Sequence, residues 1–217
     1  MPLRLPADDN RHAIIGRTGS GKTVAALWHL SIRNFDQMPW LIYNFKYDAN
    51  IDAIPHAEHI GVDEVPTGNG VYIVHPMPNE TAEVEAQMWE VWKRGNTGIY
   101  VDEGYMVAKN NQAFRALLTQ GRSKRIPMII LSQRPVWMDT FVFSEAEFFQ
   151  VFHLNYRKDI KRVEEYVPAQ LGERLPEYYS YYYDVGRNEL SKLKPTPPVQ
   201  KIMEQFDRRL KNRKHLV

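Results

Sequence analysis

The stretch that decides the fold is Gly16-Arg17-Thr18-Gly19-Ser20-Gly21-Lys22-Thr23. It matches the pattern G-x-x-x-x-G-K-[ST] at every defined position, and each position has a physical role. The glycines allow consecutive backbone N–H groups to point at phosphate oxygens, and the following helix adds the positive end of its dipole. Lys22 would contact the β- and γ-phosphates, and Thr23 would offer its hydroxyl to Mg²⁺. The stretch therefore predicts a phosphate-binding loop, with ATP and Mg²⁺ as cofactors.

The residues on either side of this loop support the interpretation. The apolar run Ala13-Ile14-Ile15 precedes it, and an amphipathic segment begins at Val24. A strand, a loop and a helix in this order are what the phosphate-binding mechanism requires. The alternative is a glycine-rich turn that carries Lys-Thr by chance, and the flanking strand and helix disfavour it.

The rest of the chain predicts an α/β fold. Short apolar runs predict strands at residues 12–15, 40–45, 71–75, 99–102, 128–132 and 148–154. Amphipathic segments separate them, and continuous apolar strands are typical of a mostly parallel sheet between helices. Residues 46–70 form a long connection. The last third predicts a β-hairpin with Gly186 and Asn188 supplying the turn in Val185-Gly186-Arg187-Asn188, and then a basic helix at residues 199–214.

Two carboxylates, Asp102 and Glu103, follow the predicted strand at residues 99–102. Asp102, at a strand end beside the phosphate loop, can hold Mg²⁺ through its waters. Glu103 could orient and deprotonate a water for attack on the γ-phosphate. An Asp-Glu pair alone is commonly a solvated turn, but the upstream loop favours the catalytic interpretation. Motor-type ATPases need such a base, whereas small-molecule kinases do not.

A third motif ends the strand at residues 128–132, where Ser132-Gln133 would place an amide beside the γ-phosphate. Taken alone, a terminal Gln is usually a cap or a surface residue. Four segments now occur in order: the phosphate loop, Tyr100-Val101-Asp102-Glu103, Gln120-Gly121-Arg122 and Leu131-Ser132-Gln133-Arg134-Pro135. This set resembles the HerA/FtsK superfamily of DNA-pumping ATPases. Within it, the chain looks most like the genome-packaging ATPases of tailless, internal-membrane icosahedral viruses and phages. The resemblance covers residues 11–154 and, more weakly, the hairpin at 184–190.

The resemblance implies a RecA-like P-loop core and a homo-oligomeric ring, expected to be a hexamer. It also implies an arginine finger that reaches the nucleotide of the neighbouring subunit, with Arg122 as first candidate and Arg125 as second. The structural alternative for either arginine is a salt bridge or a solvated basic loop. Gln133 would be the γ-phosphate sensor, and Arg134 has no assignment.

Length and composition limit the organisation of the chain. At roughly 100 to 200 residues per domain, 217 residues fit one elaborated domain or two small ones. We expect a single ATPase domain over residues 1–217, with its core at 11–155 and a helix, the hairpin and the basic helix at 156–217. The absence of cysteine excludes disulfides, thiolate metal sites and a cysteine nucleophile. Neither a signal peptide nor a run of roughly 18 apolar residues is present, so we expect a soluble protein without a transmembrane segment.

The charge pattern leaves the DNA contacts open. The net charge is only +2, so nucleic acid must be held by local patches. The carboxyl-terminal helix carries an excess of basic residues: Lys201, Arg208, Arg209, Lys211, Arg213 and Lys214 against Glu204 and Asp207. It could grip phosphates, dock on an anionic membrane surface or be a solvated tail. Because no sequence-reading motif is present, we expect backbone contacts from ring-lining loops, such as residues 108–111 or the segment after Gln133.

These observations lead to one principal functional hypothesis and three alternatives. The principal one is an ATP-driven translocase that moves double-stranded DNA into a viral capsid, together with capsid or vertex proteins, at the packaging vertex of the virion and in the host cytoplasm. The first alternative is a filament-assembly or conjugation-type ATPase, which the lack of membrane segments disfavours. The second is a nucleotide-gated structural vertex protein, which the presence of Glu103 disfavours. A small-molecule kinase is the weakest, because the sequence has no acceptor-site signature.

Overall fold

The centre of the protein is a nine-stranded sheet formed within residues 3–211, the part of the chain that the structure, a computed structural model, describes. The strands are β1 Arg11–Ile15, β2 Pro39–Asn44, β3 Glu58–His59, β4 Gly70–Val74, β5 Gly98–Asp102, β6 Met128–Ser132, β7 Phe148–Val151, β8 Ser180–Asp184 and β9 Glu189–Leu193. Their order across the sheet is β3-β4-β2-β5-β6-β1-β7-β8-β9.

The direction of the strands places several strand ends at one edge of the sheet. Strands β1 to β7 pair in parallel, and β8 and β9 extend the sheet beyond β7 in antiparallel orientation. Every residue of β1, β4, β5 and β6 is buried, as expected for strands that helices cover on both faces. The residues that follow β1, β2, β5 and β6 therefore meet at the same edge.

Helices cover both faces of the sheet. They are α1 Lys22–Ser31, α2 Ala49–Asp52, α3 Thr81–Arg94, α4 Gln112–Gln120, α5 Thr140–Ser144, α6 Arg157–Glu164 and α7 Val199–Leu210. Apolar residues of α3, α4, α5 and α6 form one core with one face of the sheet. Those of α1, α2 and α7 form a second core on the opposite face. Neighbouring residues of a strand serve different cores: Ala13 and Ile15 belong to the first and Ile14 to the second.

The α/β fold predicted from the sequence is confirmed. The strand predicted at residues 128–132 has those bounds, and the other five predicted strands are present with shifted ends. The largest shift is in the strand predicted at residues 148–154, which ends at Val151. Residues 46–70 contain α2 and β3, which the sequence did not predict because both are too short to show a period.

The predicted hairpin is formed by β8 and β9, but its turn differs in detail from the prediction. Asn188 has a left-handed backbone with φ of 52°, whereas Gly186 does not. The side chain of Asn188 also accepts a hydrogen bond from the Tyr183 hydroxyl at 2.9 Å. Asparagine tolerates this conformation better than most residues, so Asn188 is the residue on which the turn depends.

The predicted basic helix is a packed element as far as the structure describes it. Helix α7 buries Ile202, Phe206 and Leu210, and the Phe206 ring lies 5.9 Å from that of Phe35. Arg209 donates to the backbone oxygens of Ile32 at 3.2 Å and Arg33 at 2.8 Å, beyond the end of α1. The solvated-tail interpretation is therefore wrong for residues 199–210. Arg213 and Lys214 lie outside the described residues.

Within residues 3–211, no helix is both long enough and apolar enough to span a membrane.

Replacing Phe206 by alanine should lower the free energy of unfolding by about 3 to 5 kcal/mol, because it removes a fully buried ring from the contact between α7 and α1. Urea unfolding followed by circular dichroism measures this loss. Lys201→Ala, on the exposed side of the same helix, is the matched control and should stay within about 0.5 kcal/mol of the unaltered chain. Equal stabilities of the two variants would show that α7 is not part of the core.

Candidate active site

The phosphate loop begins where β1 ends and continues the ladder of the sheet for two residues. The backbone N–H of Gly16 donates to Ser132 O at 3.1 Å, and that of Arg17 donates to His153 O at 3.1 Å. The chain then turns through Gly19 and Gly21, whose φ values are 75° and 94°, and enters α1 at Lys22. A side chain at Gly16 would place its Cβ 2.5 Å from Ser20 Oγ, so only glycine fits there.

The loop has polar groups without hydrogen-bond partners, and a phosphate group could bind to them. Among residues 3–211, the hydroxyl of Ser20 is buried with no hydrogen-bond partner. Gly21, which precedes α1, provides no side-chain cap for the first N–H groups of that helix. Buried polar groups normally have partners, and a helix amino terminus attracts anions. ATP phosphates are the ligand that this combination suits, and Thr23 follows at the second position of α1.

Asp102 and Glu103 stand at the same edge of the sheet as the loop. Asp102 ends β5, which is separated from β1 by β6 alone. Glu103 follows with a left-handed φ of 65° and precedes a 3₁₀ turn at Gly104–Met106. Both carboxylates are almost fully buried, at 2% and 0% exposure. The left-handed residue turns the chain away from the sheet while its side chain stays inside.

The buried carboxylate of Glu103 is compensated by two lysines. Its Oε1 lies 3.3 Å from Lys22 Nζ and also forms a close ion pair with Lys46 Nζ. Its Oε2 accepts a hydrogen bond from the backbone N–H of Gln133 at 3.0 Å. Three elements therefore converge on one side chain. Sequence reasoning missed Lys46, although its position shortly after the strand at 40–45 was a usable signal once β2 is known to neighbour β5.

Asp102 has an unusual protonation equilibrium. Burial, followed by repulsion from Glu103, raises the pKa of Asp102 from 3.8 to about 7, against the opposing attraction of Lys22 and Lys46. A buried carboxyl group that holds its proton this strongly gains from a cation that replaces the proton. The carboxylate of Asp102 therefore suits Mg²⁺, which prefers oxygen ligands.

Gln133 connects the loop to the acidic pair. Its Oε1 accepts a close hydrogen bond from the Thr18 hydroxyl, and its Nε2 donates to the Tyr105 hydroxyl at 3.2 Å. Tyr105 lies in the turn directly after Glu103. The structure therefore brings Lys22, Glu103 and Gln133 together, as the sequence predicted for a hydrolytic site.

The two candidate finger arginines are not part of this cluster. Arg122 lies in the 3₁₀ turn Gly121–Lys124, which leads into the amino end of β6, at the edge of the sheet opposite the phosphate loop. Its side chain is 64% exposed and lies 3.6 Å from Asp9. Arg125 is exposed, with a φ of 54°. Neither arginine can serve the site of its own subunit from this position, so the finger stays a prediction about a neighbouring copy.

Arg134, which the sequence left unassigned, joins the end of β6 to α6. Its Nε donates to Asp159 Oδ2 at 3.1 Å, and its guanidinium lies 4.0 Å from the Trp137 ring centroid and 5.0 Å from that of Tyr156. The buried Asp159 also accepts from the backbone N–H of Val136 at 3.1 Å. The residue after the candidate sensor is thus fixed to a helix on the other side of β1.

Two clefts open on either side of Arg17. One of about 200 Å³ lies between the phosphate loop and the segment before β8, and its lining includes Ser20, His153, Arg174 and Tyr178. The other, of about 610 Å³, is more open and is lined by residues that include Thr18, Gln133, Arg134 and Asp159. Residues of the phosphate loop therefore line both clefts.

Asp102→Asn should remove a pH dependence of stability. The folded state holds a proton on Asp102 that the unfolded chain releases near pH 3.8, so the unaltered chain loses stability as pH rises toward about 7. In EDTA the variant should therefore gain about 2 to 3 kcal/mol relative to the unaltered chain between about pH 5 and pH 8. Urea unfolding at each pH measures the difference, with the exposed Asp63→Asn as control. A difference that does not change with pH would contradict the raised pKa.

The chain is similar in sequence or structure to several known proteins. No family model matches the chain. The DNA packaging ATPase P9 of Enterobacteria phage PRD1 is 44% identical over 218 residues, which cover 95% of this chain and 96% of P9. The genome packaging NTPase B204 from Sulfolobus turreted icosahedral virus 2, in complex with AMPPCP, has a TM-score of 0.70 at 18% identity and covers 88% of this chain and 100% of its own. ATPases 2 and 3 of EssC from Geobacillus thermodenitrificans have a TM-score of 0.67 at 10% identity, over 96% of this chain and 45% of theirs. The two structural likenesses show a shared fold.

Proposed function

Because the chain belongs to the family of viral DNA-packaging ATPases that includes P9 of phage PRD1, we propose that it is an ATP-hydrolysing motor that moves double-stranded DNA into a viral capsid. The observation that carries the proposal is the convergence of Lys22, Glu103 and Gln133 at the edge of the sheet where the phosphate loop lies. We further propose that residues 1–217 act as one ATPase unit, with the core at 11–155 and the helix, hairpin and α7 added to it.

The phosphate loop would bind the triphosphate through backbone N–H groups of residues 16–23, the Ser20 hydroxyl and Lys22. Thr23 and Asp102 would hold Mg²⁺, which neutralises charge on the β- and γ-phosphates when it is bound. Lys22 now lies beside Glu103, at 3.3 Å. On ATP binding it would turn toward the phosphates, and Lys46 would remain as the partner of Glu103.

Glu103 would act as the general base. Its carboxylate orients a water and accepts a proton as the water oxygen bonds to the γ-phosphorus, while the bond between that phosphorus and the oxygen of ADP breaks. Lys46 and the N–H of Gln133 contact the carboxylate and fix its direction. Because these neighbours hold the carboxylate in place, it does not have to reorient during the reaction.

Gln133 would report the presence of the γ-phosphate to the rest of the molecule. Its side chain contacts Thr18 in the loop and Tyr105 after the acidic pair. The next residue, Arg134, is tied to Asp159 of α6. A change at the γ-phosphate would therefore reach α6 through Gln133, the adjoining Arg134 and the ion pair between Arg134 and Asp159. The smaller cleft beside Tyr178 is the proposed position of the adenosine part of ATP.

The proposed assembly is a homo-oligomeric ring, with a hexamer as the expected form. Arg122 and Arg125 are exposed at the edge of the sheet opposite the phosphate loop, where a neighbouring copy could meet them. This position supports a finger supplied to the next subunit, with Arg122 as first candidate. The existing contact with Asp9 is between two exposed groups and would be exchanged at low cost.

The DNA contacts are proposed to be contacts to the phosphate backbone without sequence reading. Of the loop at residues 108–111, only the first three residues are exposed, because Asn111 is buried and caps α4 through a bond from Phe114 N at 2.7 Å. Lys109 is thus the cation that this loop can offer. In the segment after Gln133, Trp137 is 53% exposed.

Capsid or vertex proteins are the proposed protein partners. The virion vertex and the host cytoplasm are the proposed locations.

Glu103→Gln should lower ATP turnover by about 10²- to 10⁴-fold while leaving nucleotide binding intact, because the amide cannot accept the proton from water. Steady-state phosphate release, with and without duplex DNA, measures turnover, and a fluorescent ATP analogue measures binding. The exposed Glu90→Gln on α3 is the control and should behave like the unaltered chain. Turnover that is indifferent to both duplex DNA and Glu103→Gln would contradict the proposed function.

Mixed rings can test where the arginine finger acts. Arg122→Ala alone should reduce turnover by about 10³-fold. A mixture of Arg122→Ala and Glu103→Gln chains should recover part of the activity, because some interfaces combine an intact Glu103 with an intact Arg122 from the neighbour. The same mixture made with Arg125→Ala examines the second candidate. Recovery with neither arginine variant would exclude both as fingers supplied by a neighbour.

A further inference from the structure

Three potential metal ligands gather at the outer end of the sheet, away from the phosphate loop. They are Asp52 at the end of α2, His59 at the end of β3 and His75 directly after β4. One ligand atom from each lies within 4.8 Å of the other two. Strands β2, β5 and β6 separate β4 from the phosphate-loop strand β1, so the cluster is distinct from the proposed Mg²⁺ site.

The pairing of β3 with β4 explains why the two histidines share a face. His59 lies opposite Ile73 in the parallel ladder, and His75 comes two residues after Ile73. Side chains two residues apart on a strand point to the same face. The imidazole rings are accordingly nearly parallel, with centroids 5.3 Å apart. The two-residue strand β3 thus extends the sheet and also places His59 beside His75.

Neighbouring side chains hold the third ligand and one histidine in place. Asn44, which is fully buried, donates from Nδ2 to Asp52 Oδ1 at 2.9 Å and accepts from Asp48 N at 2.9 Å. Tyr47 stacks on the His75 ring at 4.7 Å. His75 Nε2 lies 2.8 Å from Asp52 Oδ1. Partners that orient ligands in this way are the usual second layer of a metal site.

The geometry points to a binding site for a divalent transition metal of the Zn²⁺ type, with Asp52, His59 and His75 as its protein ligands. Two imidazoles and one carboxylate form a set that suits Zn²⁺, Co²⁺ or Ni²⁺, whereas Mg²⁺ prefers oxygen ligands. Asp52 and His59 are exposed, so water can complete the coordination. At bond lengths of about 2.0 to 2.2 Å, tetrahedral ligand atoms lie about 3.4 Å apart, so the ligand atoms, now within 4.8 Å of one another, would draw together and the stacked rings would turn toward the metal.

A metal at this position would join α2 and β3 to the end of β4 and so fix the connection at residues 46–70. That connection begins with Lys46, the partner of Glu103, and Tyr47, the partner of His75. The site is independent of the proposed function, since neither ATP nor DNA takes part in its formation.

Metal titration of the untagged full-length chain tests the inference. Isothermal titration with Zn²⁺ in excess Mg²⁺ should show one equivalent of tight binding, and Co²⁺ should give the visible absorption of a low-symmetry site. His59→Asn, His75→Asn and Asp52→Asn should each weaken Zn²⁺ binding by at least about tenfold. His56→Asn is the matched control, because its ring, three residues from His59, lies 2.8 Å from Asp207 instead.

The outcomes separate a metal site from a simple hydrogen-bonded cluster. Loss of binding in the three ligand variants, with His56→Asn unaffected, supports the site. Zn²⁺ affinity and stoichiometry that are the same in the unaltered chain and the three variants would overturn it, as would equal weakening by His56→Asn. Asp52, His56 and His59 are exposed and His75 is half-buried, so circular dichroism of each variant should match that of the unaltered chain.

Discussion

The ion pairs of the buried Glu103 carboxylate are the interaction on which the rest of the site depends. A carboxylate with no exposed surface is costly unless opposite charges and hydrogen bonds compensate it. Lys22, Lys46 and the N–H of Gln133 supply that compensation from three separate parts of the chain. The ends of β2 and β6 and the start of α1 are therefore held at fixed positions relative to β5. Loss of Lys46 would leave Lys22 alone to balance the buried charge, and so the site constrains the sheet as much as the sheet constrains the site.

The parallel sheet is the means by which one edge receives all these groups. In parallel strands the carboxyl ends share an edge, and β2, β5, β6 and β1 are neighbours in that order. Each contributes a residue just beyond its end: Lys46, Glu103, Gln133 and the phosphate loop. The hairpin β8–β9 reverses direction, so it can lengthen the sheet without adding a loop to this edge.

The sequence was informative where the signal is local. The phosphate loop, the acidic pair and the six strands follow from neighbouring residues, because period and motif are properties of short segments. The role of Lys46 could be predicted only from the order of the strands in the sheet, and no local sequence pattern contains that order. The same holds for Arg134, whose partner Asp159 is 25 residues away. Helix α2 and strand β3 were not predicted, because four and two residues are too few to show a period. The buried face of α7, with Ile202, Phe206 and Leu210, could also have been predicted from the spacing of its apolar residues, but the interpretation rested on its basic residues.

The fastening of α1 at both ends has a mechanical consequence. The helix begins at Lys22 in the phosphate loop, and the carbonyls at and after its last turn accept hydrogen bonds from Gln205 and Arg209 of α7. Ten helical residues form a rod about 15 Å long, and a hydrogen-bonded helix resists compression along its axis. Helix α1 is therefore a rigid connection, and a displacement of the phosphate loop along the helix axis would be carried to α7. The surface of α7 would then shift together with the phosphate loop, although the two lie at opposite ends of α1.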